Sequence, residues 1–200
     1  MTDRHGHPRP PVDTVRAVLD GGGRWIWLRD RDLQAAERRA LAEALLPIVR
    51  GCGGTLTVGG DADLAAAVGA DGVHLGGRAG LATIRAARRL LGPCALIGVS
   101  THAAAGVAAA AAAGADYVTL SPIFETASKP GYGPALGPGV LHEACRAGIP
   151  VIALGGLTPA SVPACRAGGA AGVAIMGGLM RAQDPALAVR HYLAAWSGLP

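Results

Sequence analysis

The chain has 200 residues, a formal net charge of +4 at pH 7, and a sequence that is half hydrophobic. This length suits one domain, which we predict to span residues 1–200, and it supplies enough apolar side chains for a large core. Because only 4% of the residues are aromatic, that core must be built mainly from Ala, Val, Leu and Ile. The basic residues are scattered along the chain, which argues against a nucleic-acid-binding protein.

The sequence also lacks the usual features of secreted, metal-finger and membrane proteins. The N-terminal segment MTDRHGHPRPP is polar and has no apolar stretch of the kind found in signal peptides. The cysteines stand singly, without a CxxC pair or metal-finger spacing, so we expect buried, reduced thiols at Cys52, Cys94, Cys145 and Cys165. The longest apolar run, AAAGVAAAAAAGA, is too short to cross a bilayer. We therefore expect a cytoplasmic protein with no membrane or nucleic-acid partner.

Short apolar runs alternate with longer stretches rich in Ala, Leu and Arg along the whole chain. The runs are continuously apolar, which is typical of parallel strands covered on both faces. The predicted strands are, in chain order, Trp25–Leu28, Thr55–Val58, Gly72–Leu75, Ala95–Ser100, Tyr117–Leu120, Val151–Leu154 and Gly172–Met176. The predicted helices cover residues 12–20, 33–50, 62–69, 80–91, 103–113, 139–147, 159–167 and 178–196. This alternation predicts an α/β fold with a parallel sheet.

Three similar segments, VGADGVHL, AGADYVTL and GGAAGVAI, each end a helix with glycine and enter the next strand. Their recurrence indicates copies of one βα unit, the way a (β/α)8 TIM barrel is built. Only Met1-Thr2-Asp3 is available as a first strand, so we predict a single-domain barrel whose first strand is truncated to a stub, by a clipped or misassigned start or by a real shortening. The alternative, a doubly wound open sheet, normally has a phosphate-binding loop after its first strand, but TDRHGHPRPP contains no GxGxxG.

In a barrel the functional site lies at the carboxyl ends of the strands, so the residues that follow each strand are candidates. Arg29 and Arg31 follow the first predicted strand two positions apart and can face one anionic ligand. Gly59 and Gly60 follow the next strand and either bring the backbone close to a ligand or turn the chain. Asp61 is predicted to be a helix N-cap rather than a metal ligand.

The residues after the next two strands allow both structural and functional interpretations. His74 can face a ligand in the barrel lumen or be a hydrogen-bonded core histidine. Ser100 can contact a substrate, or it can cap the alanine-rich helix that follows, as can Thr101. His102 would then lie in the first helical turn, near the site.

The loop SPIFETASKPGYGP, Ser121–Pro134, is unusually polar for this chain. Lys129 with Thr126 and Ser128 offers one cation and two hydroxyl groups, a combination suited to binding phosphate. The prolines restrict the shapes of the loop and so lower the entropy lost when it closes on a ligand. Glu125 is either an acid/base group or a residue that faces outward at the rim.

Pairs of glycines follow the last two predicted strands, in LGGLTPAS and IMGGLM. In barrels, backbone N–H groups at these two strands commonly form a phosphate site. Gly155, Gly156 and Gly177, with the neighbouring Met176, are therefore candidate ligands of a phosphate group. Together with the lysine loop, they predict an enzyme that acts on a small phosphorylated substrate.

The segments TDRHG, LRDRDL, GADGVHLG, IGVSTH, GADYVTLSPIFETASK, IPVIALGGLTP and GVAIMGGLM together resemble the superfamily of thiamine phosphate synthases and TenI-type thiazole tautomerases, which are (β/α)8 barrels. The resemblance covers nearly the whole chain. In that superfamily the synthase joins a pyrimidine diphosphate to a thiazole phosphate carboxylate and releases pyrophosphate with Mg²⁺, whereas the tautomerase rearranges protons on the thiazole without a metal. The resemblance implies thiamine biosynthesis and a small phosphorylated heterocyclic substrate, and it allows a homodimer.

Two departures from the synthase pattern concern the metal. The pattern carries an Asn-Asp pair where this chain has Gly59-Gly60, and a further Asp where it has Ala79. Those acids hold Mg²⁺, and glycine or alanine side chains supply no oxygen ligands. FET with a nearby lysine, and GGLTP, are closer to the tautomerase pattern. The resemblance thus leads us to expect a metal-independent, TenI-like tautomerase, an isomerase; the alternatives are a thiamine phosphate synthase, a transferase, and a non-catalytic ligand-binding barrel.

The tautomerase pattern has an acid/base histidine at the position of Pro122, so another group would have to move the proton. The expected catalytic residues are His102, Glu125 and Lys129. The expected substrate-binding residues are Arg29, Arg31, His74, Ser100, Thr126, Ser128, Gly155, Gly156, Met176 and Gly177. No metal-binding residue and no cofactor is expected for the tautomerase, whereas the synthase would use Mg²⁺.

Overall fold

A computed structural model describes residues 1–5, 9–126 and 134–198 of the chain. Its strands form one parallel sheet in chain order, each hydrogen-bonded to the next. They are β1 (Trp25–Leu28), β2 (Thr55–Gly59), β3 (Gly72–Leu75), β4 (Leu96–Thr101), β5 (Tyr117–Leu120), β6 (Val151–Leu154) and β7 (Gly172–Ala174). This order confirms the predicted parallel α/β architecture.

Helices connect the strands on the outside of the sheet. They are α1 (Pro11–Asp20), α2 (Ala35–Gly51), α3 (Ala62–Val68), α4 (Leu81–Leu91), α5 (Ala104–Ala112), α6 (Gly137–Cys145), a 3-10 turn (Pro159–Ser161), α7 (Val162–Ala167), α8 (Gly177–Met180) and α9 (Pro185–Ser197). The predicted helix 178–196 is divided into α8 and α9, because Asp184 caps α9 through Leu187 N and Pro185 occupies its first position.

The sheet curls into a half-barrel with β1 and β7 as its edge strands. Thr2 N donates a hydrogen bond to Trp27 O at 2.9 Å, and the α-amino group of Met1 donates to Ile175 O at 2.9 Å. The first two residues therefore bridge the two edges at their carboxyl ends, although they are not assigned as a strand. Within the described residues no eighth strand is present, so the predicted complete eight-stranded barrel is not confirmed.

Below this bridge, an apolar cavity of about 450 Å³ separates the two edge strands and reaches α1 and α9. Its walls include Trp25, Val173 and Trp196. The short bridge fills only the end of the gap that lies nearest the carboxyl ends of the strands, because a two-residue segment pairs with one or two positions of each neighbour.

The core lies between the sheet and the helices. Leu28, Val58 and Ile97 have no exposed surface; each such side chain contributes about 1.5–3 kcal/mol when it leaves water. The expectation of buried thiols is correct for Cys165 but wrong for Cys52 and Cys94, which are exposed, and Cys145 is half-buried. Across the described part of the chain, no helix has both the length and the apolarity to cross a bilayer.

A cluster of polar and aromatic side chains fills the inside of the curled sheet around His74. Its Nδ1 lies 3.0 Å from the Tyr117 hydroxyl, and its Nε2 lies 3.0 Å from Ser100 Oγ and 3.3 Å from Thr119 Oγ1. The Trp27 ring lies against the imidazole, with 3.9 Å between ring centroids. His74 has no exposed surface, so it is a hydrogen-bonded histidine of the interior.

Burial, together with the nearby charge of Arg31, lowers the pKa of His74 to about 3. The imidazole is therefore neutral at physiological pH. A neutral imidazole can accept one hydrogen bond and donate another, which matches its hydroxyl neighbours on both sides.

The depressed pKa predicts that His74 makes stability depend on pH. Between pH 6.5 and 3 the unfolded chain binds a proton at His74 that the folded chain does not bind, so stability is fully present above pH 6.5 and declines as the pH falls toward 3. Going from pH 7 to 4.5, we expect the wild type to lose roughly 2 kcal/mol more unfolding free energy than His74→Gln, measured by urea denaturation. The exposed His142→Gln is the matched control, and equal losses in all three proteins would contradict the prediction.

Candidate active site

A cavity of about 300 Å³ opens at the carboxyl ends of β1, β5, β6 and β7. The predicted site residues that line it are Arg29, Thr126, Gly155, Gly156, Met176 and Gly177. These residues come from four separate strand ends, and the curl of the sheet brings them together. Ser128 and Lys129 lie outside the described residues, and Thr126 is the last described residue before them.

The glycine pair after β6 packs directly on the loop after β5. Gly156 has φ +66°, and a Cβ atom added there would lie 2.2 Å from Glu125 O and 2.6 Å from Phe124 O. Phe124 N in turn donates a hydrogen bond to Gly155 O at 3.1 Å. Only glycine permits this approach, and the approach holds Thr126 and the glycine backbone on one cavity.

The glycine pair after β7 begins the short helix α8. Gly177 and Gly178 both line the cavity. Gly178 also packs closely on α9, because a Cβ atom there would lie 2.4 Å from the Tyr192 hydroxyl. That hydroxyl donates a hydrogen bond to Leu157 O at 3.0 Å. Both glycines of this pair therefore belong to the cavity wall, and Gly178 in addition allows the close packing against α9.

Two arginines face this cavity, Arg29 and Arg181. The Arg29 backbone is fixed at the bridge between the sheet edges, because its N–H donates to Thr2 Oγ1 at 2.9 Å. Arg181 was missed in the sequence, since the prediction placed it inside one long helix, 178–196. The signal available was a basic residue four positions after Gly177, which one turn of α8 returns to the cavity.

Arg31 lies apart from this cavity, over the ends of β2 and β3. A Cβ atom added at Gly60 would lie 2.9 Å from Arg31 Cζ, and one at Gly76 would lie 3.9 Å from Arg31 Nη1. Burial, followed by the charges of Arg38 and Arg29, lowers the pKa of Arg31. The guanidinium groups of Arg38 and Arg29 are therefore close enough to affect the charge of Arg31.

Arg38 of α2 is a buried structural residue. It is buried, donates to Gly59 O, and pairs with Asp61 Oδ2 at 3.2 Å. Burial lowers the pKa of Arg38, and the charges of Asp61 and Asp30 partly oppose that change. Asp61 Oδ1 accepts from Leu64 N at 2.8 Å, so Asp61 is the helix cap that the sequence predicted.

The residues at the strand ends do not fit a protein-held Mg²⁺ ion. Positions 59, 60 and 79 hold Gly, Gly and Ala, which have no side-chain oxygen. The nearby carboxylates have other partners: Asp30 accepts from the Thr2 hydroxyl and Arg4 N, and Asp61 from Leu64 N and Arg38. Over the described ranges, no three His, Cys, Asp or Glu side chains gather where a metal ion could bind.

The remaining predicted residues lie elsewhere on the rim or beneath it. His102 is exposed after β4, with Nδ1 2.8 Å from Ser121 O, and Glu125 is exposed beside the glycine loop. His74 and Ser100 bond each other inside the sheet, so Ser100 does not cap α5, whose N-cap position is held by Ala103. None of these four side chains lines the 300 Å³ cavity.

Comparisons with known proteins agree on one family. The family described as thiamine monophosphate synthase matches residues 1–179. A putative thiamine-phosphate synthase of Geobacter sulfurreducens is 41% identical over 97% of this chain and 91% of its own. The thiamine-phosphate synthase of Xanthomonas campestris is 44% identical over 86% of this chain and 83% of its own. The structure of thiamine phosphate pyrophosphorylase from Pyrococcus furiosus superposes with a TM-score of 0.87 at 27% identity, over 98% of this chain and 93% of that one.

These relatives correct the expected reaction class. The sequence led us to expect an isomerase of the thiazole tautomerase type, but relatives at 40–44% identity are named thiamine-phosphate synthases, which are transferases. The expectation was wrong because it gave weight to the missing metal-holding acids and to two short segments, FET and GGLTP, over similarity along the full length. From its sequence and its fold, this chain belongs to the thiamine monophosphate synthase family.

Proposed function

We propose that this protein is a thiamine-phosphate synthase, which joins a pyrimidine diphosphate to a thiazole phosphate and releases pyrophosphate. The observation that carries the proposal is the cavity in which two glycine segments and two arginines meet at the carboxyl ends of the strands. Its volume of about 300 Å³ suits a small molecule. The names of the relatives identify thiamine phosphate as the product to test for.

The cavity can bind a phosphate group through the backbone. Gly155, Gly156 and Gly177 leave their main chain uncovered by side chains, so N–H groups can approach phosphate oxygens. Arg29 and Arg181 add positive charge on the same cavity. We propose this end of the site for the phosphate of the thiazole.

The reaction breaks a carbon–oxygen bond to the diphosphate and forms a carbon–nitrogen bond to the thiazole. The electron pair of the broken bond leaves with pyrophosphate, whose negative charge therefore grows in the transition state. Arg29 and Arg31, which follow β1 two positions apart, are the groups we propose to stabilise it. The residues do not fit a protein-held metal ion, so no step is assigned to one.

Lys129 and Ser128 remain proposed ligands of the substrate, since their loop reaches the cavity at Thr126. The condensation needs no proton rearrangement on the thiazole, so His102 and Glu125 are proposed only as residues of the rim. We also propose that the chain acts as one domain, because its sheet runs without interruption from β1 to β7.

The direct test is to incubate the purified protein with the pyrimidine diphosphate and the thiazole phosphate, in Mg²⁺ and separately in excess EDTA. We expect thiamine phosphate and pyrophosphate in equal amounts in at least one condition, measured by mass spectrometry and a pyrophosphate assay. Tight binding of the thiazole phosphate without product in either condition would instead identify a non-catalytic ligand-binding barrel.

Arg29 is proposed to contact both the phosphate of the thiazole and the departing pyrophosphate. Its substitution tests this role. We expect Arg29→Gln to lower kcat/KM by on the order of 10²-fold, because a charge-assisted contact to a phosphate oxygen is lost in a confined site. Arg16→Gln, at an exposed position of α1, is the control for loss of one positive charge. Arg29 would have no such role if the two variants had the same kcat/KM.

The contact between the loops can be tested at Gly156. Alanine there meets both an unfavourable backbone, φ +66°, and the Glu125 carbonyl at 2.2 Å, so we expect lower thermal stability and a higher KM for the thiazole phosphate. Gly53→Ala is the matched control, because Gly53 has φ +65° and nothing within 4 Å of an added Cβ atom. Gly53→Ala should cost about 1 kcal/mol and leave KM unchanged. An equal effect of the two substitutions on stability would show that the loop contact contributes nothing.

A further inference from the structure

We propose that guanidinium groups, chiefly Arg31 with Arg29, take the place of the divalent cation in this chain, so that pyrophosphate is bound and released without Mg²⁺. This inference rests on the proposed synthase function and concerns the same site. It starts from the disagreement between the metal-holding acids of the synthase pattern and the Gly, Gly and Ala that stand at positions 59, 60 and 79.

The side-chain space at Gly60 is already occupied by a cation. A Cβ atom added there would lie 2.9 Å from both Arg31 Cζ and Arg31 Nη2, and 3.1 Å from Nε. The guanidinium also lies beside Gly76 after β3, with Nη1 3.9 Å from an added Cβ atom. Arg31 thus sits between the ends of β2 and β3, the two strands after which the synthase pattern carries its acids.

The space at Gly59 is occupied as well. A Cβ atom added there would lie 2.7 Å from Trp27 Nε1 and 3.0 Å from the backbone carbonyl of Leu28. Trp27 is buried, and its Nε1 has no hydrogen-bond partner among the described residues. An acidic side chain at position 59 would require buried Trp27 to move, and one at position 60 would require the Arg31 guanidinium to move. The contact with Trp27 is the firmer constraint, because Arg31 is exposed and its guanidinium is the end of a flexible side chain.

The charges at this rim favour an anion over a cation. Arg38 pairs with Asp61 at 3.2 Å, but among the described residues no carboxylate lies within ion-pair distance of Arg29 or Arg31. Arg29 is half-buried and Arg31 is exposed, and guanidinium groups held close to one another repel unless an anion lies between them. Each guanidinium group presents a planar set of donors that matches phosphate oxygens, and pyrophosphate carries several such oxygens. A Mg²⁺ ion at the same place would be repelled by Arg31 and would find no protein oxygen prepared for it.

Binding of inorganic pyrophosphate tests the inference without turnover. We expect isothermal titration calorimetry in excess EDTA to give a Kd for the wild type within about threefold of the value in Mg²⁺. Arg31→Gln should weaken binding in EDTA by 10-fold or more, and Arg31→Lys, which keeps the charge but not the planar donors, by less. Arg85→Gln, exposed on α4, is the control and should bind as the wild type does. Pyrophosphate binding that requires Mg²⁺, or that is the same in Arg31→Gln, would overturn the inference.

Turnover separates this inference from the proposed function. Formation of thiamine phosphate in EDTA at a rate close to that in Mg²⁺ would support both. Product that forms only with Mg²⁺ would leave the synthase assignment intact and overturn the replacement of the metal. If no product forms in either condition the synthase assignment fails, and the calorimetric comparison of wild type and Arg31→Gln still decides whether the guanidinium groups bind the anion.

Discussion

Backbone atoms approach one another at the carboxyl ends of the strands more closely than any side chain would allow, and the candidate site depends on this contact. At Gly156 the approach locks the loop after β6 onto the loop after β5. At Gly59 and Gly60 the absence of a side chain leaves room for Trp27 and Arg31. Glycine therefore has two roles at the carboxyl ends of the strands. After β6 it exposes main-chain donors to the cavity, and after β2 it leaves space for large side chains.

The distribution of charge follows from this packing. The acids near the rim are committed to the fold, since Asp61 caps α3 and pairs with Arg38, and Asp30 holds the N-terminal bridge through Thr2. Glu125 is an exposed acid of the rim but does not line the cavity, whose charged side chains are those of Arg29 and Arg181. A site of this kind binds a polyanion through fixed guanidinium and backbone donors, which are already oriented and need little reorganisation when negative charge develops.

The interior of the sheet supports the rim from below. Trp27 packs on His74, which bonds Tyr117 and Ser100, so the indole that borders Gly59 is held by a buried and hydrogen-bonded cluster. Arg31 above this cluster helps to keep His74 neutral. Substitution of His74 should therefore affect stability first and reach the site only through Trp27.

The bridge formed by Met1 and Thr2 also supports the residues of the rim. It holds Arg29 in place through Thr2 Oγ1 and joins the β1 and β7 edges just beneath the cavity. The cavity borders both strand ends, so its shape depends on this short pairing.

The sequence by itself determined the features that arise from local patterns: the parallel strands from continuous apolar runs, the cap at Asp61, the glycine pairs at the strand ends, and the family from its combined segments. Only the tertiary structure decided which strand ends share a cavity, that His74 and Ser100 satisfy each other inside the sheet, and that Arg181 turns toward the site. It also decided that the space beside Gly59 and Gly60 is occupied by the side chains of Trp27 and Arg31. The physical reason is that a local pattern specifies backbone conformation and burial, whereas contact between Arg31 and Gly60, or between Gly156 and Glu125, depends on how far the whole sheet curls.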